Sequence, residues 1–131
     1  MIPVWKEKWA TALESGEFIQ GVGYLHKVVR TSPANQTGSP EETHFFCPLG
    51  VLCKIVADEH PGLLTVERKR LTTGLYEVAY DTRTGLLPRA VIQLTGLDSS
   101  DPEINHESIA TLNDASKWDF KRIAKVIRRE L

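Results

Sequence analysis

What this chain has little of narrows its function first. Its only thiols are Cys47 and Cys53. Two cysteines make no disulfide framework, so the expected setting is a reducing cytoplasm. Neither sign of charge dominates: 16 Lys and Arg face 17 Asp and Glu, a formal net charge of −1. No global field draws such a chain onto nucleic acid or an anionic membrane. No apolar run approaches the ~20 residues of a membrane span. The opening M-I-P-V-W-K-E-K-W lacks the charged-then-apolar order of a signal peptide. There is no internal repeat and no G-x-S-x-G, H-E-x-x-H or Walker signature. The support for an enzyme is thin, and no cofactor is expected.

What is present describes one globular domain over residues 1–131. The chain is 41% hydrophobic and 25% charged, near the average for soluble proteins and long enough to bury a core. Trp5, Trp9, Ala12 and Leu13 form one helical stripe between Pro3 and Ser15, with Gly16 suited to end it. Residues 18–29 are β-branched and aromatic, predicting a strand interrupted or bent at Gly21 and Gly23. A polar stretch at 31–43 predicts a mobile surface loop. Pro48 opens a helix that runs to about Glu59. The alternating runs at 63–71 and 75–81, separated by Thr72, Thr73 and Gly74, predict a hairpin. A short helix follows Pro88 and ends at Gly96, and L-N-D at 112–114 is read as a turn entrance. The last helix is placed from Ser116, with Asp119 completing an S-x-x-D capping box. The predicted fold class is α+β, a small, mostly antiparallel sheet covered by helices.

The two cysteines lie in F-C-P-L-G-V-L-C-K-I, the most apolar stretch of the chain. With Cys47 at a helix cap and Cys53 inside the helix, the rise between them is about 9 Å, too far for a disulfide. The C-x5-C spacing and four scattered histidines supply no set of zinc ligands. Cys53 shares a stripe with Leu49, Leu52 and Val56 and reads as core. Cys47 has two readings: a buried cap residue, or a nucleophile with a thiol lowered by the helix dipole and paired with His44.

Three other patches could bind something. On the hairpin, Arg68 and Arg70 share a strand face with Val66, opposite Glu67 and Lys69, and Tyr76 and Tyr80 follow on the partner strand. Arginine and tyrosine on a sheet can hold an anion and stack a base, although basic residues also protect sheet edges. The last helix carries Lys117, Lys121, Arg122, Lys125, Arg128 and Arg129, a face able to meet phosphates or simply solvent. Gly21 and Gly23 make a G-x-G inside a strand, which is a bulge more than a phosphate loop.

S-G-E-F-I-Q-G-V-G (15–23), C-P-L-G-V-L-C (47–53), L-P-R-A-V-I-Q-L-T-G-L (87–97), L-N-D (112–114) and F-K-R-I-A-K-V-I (120–127) occur in this order. The order resembles a family of small proteins carried by tailed bacteriophages and prophages. It departs at Pro48, where that family often has a second cysteine, and at Ala115, where glycine is usual. The resemblance implies a phage context and transfers no catalytic residue. The expectation is therefore a non-enzymatic phage accessory protein in the infected cell's cytoplasm. It would bind a host protein or a small anionic, nucleotide-like signal through Arg68, Arg70, Tyr76 and Tyr80, and so counteract a host defence. No metal, membrane or nucleic-acid partner is expected, whereas a homo-oligomer would bury apolar surface of the hairpin. The alternatives are a cysteine-dependent enzyme using Cys47 and His44, and nucleic-acid binding through the C-terminal helix.

Overall fold

In a computed structural model that describes residues 1–31 and 40–131, helices back one face of a mixed sheet. Helix α1 (Pro3–Glu14) begins with Pro3 in its first turn and buries Trp5, Trp9, Ala10 and Leu13. Gly16 follows at φ +79, the left-handed conformation that ends a helix without a Cβ clash. The strand expected over 18–29 is two pieces, β1 (Ile19–Gln20) and β2 (His26–Thr31). Gly23 at φ +80 turns the chain between them. Gly21 passes so close to the next strand that a Cβ there would sit 2.8 Å from that of Phe45.

Strand β2 extends to Thr31, and β3 (Glu41–Phe46) begins inside the stretch expected to be a loop. The remainder of that predicted loop, 32–39, lies outside the described residues. Helix α2 (Pro48–Glu59) has the expected limits. The hairpin is β4 (Val66–Thr72) and β5 (Leu75–Tyr80), and α3 (Arg89–Thr95) ends on Gly96 at φ +74. A two-residue pair, β6 (Glu103–Ile104) and β7 (Glu107–Ser108), leads into α4 (Ile109–Asp114). L-N-D is thus the end of a helix and not a turn entrance. Helix α5 (Phe120–Glu130) starts later than expected. Asp119 is its cap, accepting the Arg122 amide at 2.8 Å, and Ser116 lies outside it.

The sheet order is β1-β3-β2-β5-β4, antiparallel except for β1 beside β3. The fold class is α+β, as expected. The registers put Gln20, Phe46, His26, Val28, Val78 and Tyr80 on one face. Phe46, Val28, Val78 and Tyr80 join the core with Leu49, Leu52, Cys53 and Val56 of α2. His26 is buried beside them, and Gln20 is half-buried. The other face carries Ile19, Lys27, Val29, Phe45, Glu67, Lys69, Glu77 and Ala79, none of them buried.

Helix α2 meets the sheet side through a point of backbone contact. A Cβ on Gly50 would fall 1.6 Å from the carbonyl oxygen of Leu25, far inside van der Waals contact. Only glycine fits there. Trp9 fixes the same end of the helix by donating its indole N–H to the Pro48 carbonyl at 2.8 Å.

Candidate functional site

The helix-side face of the sheet is apolar where α2 covers it and polar beyond. From the core outward, Tyr80, His26, His44, Glu42 and Arg68 form a continuous chain of contacts. The Tyr80 hydroxyl lies 2.9 Å from His26 Nδ1, and His26 Nε2 lies 2.7 Å from His44 Nδ1. His44 Nε2 then faces Glu42 Oε1 at 3.8 Å. Glu42 accepts two bonds from the Arg68 guanidinium, at 2.6 and 3.2 Å. Arg68 in turn stands over the Tyr76 ring at 5.4 Å.

Chemistry assigns the protons of this chain. A neutral imidazole has one donor and one acceptor nitrogen. If His44 Nε2 were bare, its lone pair would face the Glu42 carboxylate, so Nε2 carries the hydrogen and Nδ1 accepts. His26 therefore donates from Nε2 and accepts the Tyr80 hydroxyl at Nδ1. Burial first, and then the neighbouring His44 imidazole, hold His26 down at about 4, well under its ordinary 6.5. Burial also pushes the Tyr80 hydroxyl up. The bidentate Arg68 pair lowers Glu42 and raises Arg68.

Beyond this chain, where β2 meets the β4–β5 turn, Arg30, Pro40, Arg70, Thr73, Gly74 and Tyr76 line a hollow of about 260 Å³. The Arg30 amide donates to the Gly74 carbonyl at 2.7 Å and ties the end of β2 to the β4–β5 turn. Arg70 donates to the Thr73 hydroxyl at 3.1 Å. The four residues predicted to bind thus part company. Arg70 and Tyr76 share the hollow. Arg68 lies on the same face but is engaged by Glu42, and Tyr80 is buried in the core with only 1% exposed. Arg30 was missed, because the predicted strand ended at Val29.

The thiols stand apart from this face in character. Cys47 caps α2 with no side-chain hydrogen bond. Burial pushes it up to about 11, overriding the lowering by the helix's first amides, and the Asp114 carboxylate adds to the rise. Burial raises Cys53 too. An activated nucleophile needs the opposite shift. His44 spends Nδ1 on His26, so the Cys47–His44 pairing has no support in the geometry. Among the described residues no group of His, Cys, Asp or Glu could hold a metal, and no helix is long and apolar enough to cross a membrane.

The basic face of α5 is also partly committed. Arg128 pairs with Glu7 at 3.0 Å and with Glu14, locking α5 to α1. Arg122 stacks on Trp118 at 3.7 Å.

Fold and face together define a class: a one-domain α+β protein with a helix-backed sheet and an arginine-bearing polar end. The particular family follows from sequence comparison. The chain belongs to the family described as Domain of unknown function (DUF8296), whose model matches residues 1–131. No curated protein and no solved structure matches it.

Proposed function

We propose that the protein is a non-enzymatic binder of a small anionic ligand, held at the polar end of the sheet. The observation that carries this is the convergence of Arg30 and Arg70 with Thr73 and Tyr76 around one hollow. Two guanidiniums, a hydroxyl and an aromatic face supply charge-assisted donors and a stacking surface, the groups that hold a phosphate and a base. At about 260 Å³ the hollow is smaller than an ordinary ligand pocket. It takes an anionic head group while the rest of the ligand lies along the surface. Arg68 is a reserve cation that a more highly charged ligand would have to win from Glu42.

The ordered motifs shared with small phage and prophage proteins support the wider reading. In it the protein is a phage accessory factor in the infected cell's cytoplasm, and its ligand is a nucleotide-like signal of a host defence. The raised Cys47 thiol weighs against the cysteine enzyme, and the tethering of Arg128 weighs against a nucleic-acid face on α5.

The test is a thermal-shift panel of nucleotides and related phosphates, followed by calorimetry on any hit. Binding is expected from at least one phosphate-bearing compound. Arg70→Ala should weaken it by about 1.5–3 kcal/mol, the loss of a charge-assisted hydrogen bond, with little change in melting temperature. A panel without a single shift, or a hit indifferent to both Arg30→Ala and Arg70→Ala, refutes the assignment.

A further inference from the structure

Strand β4 ends the sheet. It pairs with β5 on one side; among the described residues nothing pairs with the other, and all seven of its residues are exposed. An edge of this length presents a row of unpaired N–H and C=O groups to any strand that can align with it. Basic side chains normally discourage such pairing. Here an acid alternates with them: Val66, Arg68 and Arg70 point to the helix side, Glu67 and Lys69 to the open side.

That alternation selects one partner. When a strand pairs antiparallel with its own copy, residues on the same face must oppose each other, so the pairing is centred on a single residue. Centring on Glu67 sets carboxylate against carboxylate. Centring on Lys69 opposes two ammoniums and puts Arg68 against Arg70. Centring on Arg68 opposes Glu67 with Lys69 twice, once on each side of the axis. It also lays the aliphatic stem of Arg70 over Val66, which is 49% exposed in the single chain. Arg68 then meets its own copy, but each guanidinium already carries a carboxylate, its bidentate Glu42.

We propose that β4 is a homodimerisation edge. A second copy of the chain adds its β4 antiparallel, with Arg68 on the two-fold axis, and two five-stranded sheets become one. The contact is closed. The register break between Arg70 and Thr72 ends the ladder just past Arg70. The opposite edge, β1, is only two residues long and parallel to its neighbour, so it offers no matching surface for a third copy. The dimer brings the Arg68 and Tyr76 surfaces of both copies side by side, yet its existence does not depend on the ligand assignment.

Charge exchange tests the register. The wild-type chain should sediment as a dimer. Glu67→Lys opposes lysine with lysine, and Lys69→Glu opposes glutamate with glutamate. Each should weaken the dimer about tenfold while the circular dichroism spectrum is unchanged, because both sites are exposed. An equimolar mixture of the two variants should dimerise as well as the wild type, since every opposed pair is again of unlike charge. A wild-type chain that stays monomeric at the highest soluble concentration overturns the proposal. So does a dimer that ignores both substitutions, or a mixture no tighter than its parts.

Discussion

Among the described residues, Gly50 makes the tightest backbone approach of any glycine. A methyl group there would need to occupy the position of the Leu25 carbonyl oxygen, 1.6 Å away, with the carbonyl carbon at 2.4 Å. Neither is the end of a flexible side chain, so α2 must lift from the sheet or Leu25 must move. Leu25 is fully buried and its amide is held by the Thr84 carbonyl at 2.7 Å. Gly50→Ala would gain about 1 kcal/mol of helix propensity and lose far more to overpacking. A net destabilisation of about 3 kcal/mol or more is expected by urea denaturation. His26 gives the residue scale its pH dependence. In the unfolded chain it takes a proton near 6.5, whereas in the folded protein it resists to about 4. Between those values the unfolded state holds more protons, so stability is complete above 6.5 and falls as the pH drops toward 4. Screening at the open end of the sheet trims the loss to about 2 kcal/mol. Denaturation at pH 7 and pH 5 should reveal most of it, and His26→Gln should flatten the difference.

At the scale of elements, local signals sufficed where an element is closed by its own neighbours in sequence. Pro3, Pro48 and Pro88 at helix starts, Gly16 and Gly96 at ends, and the alternation across Thr72–Gly74 all act over a few residues. The failures needed distant partners. Asn113 looks like a turn former, but it is 1% exposed and its side chain joins parts of the chain some 90 residues apart. It donates to the Gly21 carbonyl at 2.8 Å and accepts from Gln20 at 2.6 Å, clasping β1 against α4. The same limit hid the candidate site. The His26–His44 contact depends on how β2 and β3 register, and the approach of Arg30 on how β2 pairs with β5, and no short-range pattern fixes either. Asn113→Ala would leave the half-buried Gly21 carbonyl without this donor, at a cost of about 1–3 kcal/mol. The nearby change Ser116→Ala, at an exposed position, should stay within about 0.5 kcal/mol. Equal effects in chemical denaturation would mean that the clasp does not matter.

Across the whole molecule, the motifs at 15–23, 47–53 and 112–114 meet at junctions of the fold. Gln20 and Gly21 meet Asn113, Gly50 meets Leu25, and Pro48 receives Trp9. They specify how the domain is assembled, while the polar end of the sheet lies on residues outside them. Sequence signatures of this kind recognise the architecture and leave the ligand to be found by chemistry. One of those joints also has a temporal meaning. Glu7 and Glu14 on α1 are locked by Arg128, more than 110 positions later. During synthesis the first helix leaves the ribosome with its carboxylates unmatched and its tryptophans waiting for a surface not yet translated. Trp9 and Lys8 find Pro48 and Glu59 as soon as α2 is made, so the seam with Arg128 is the contact of α1 that closes last.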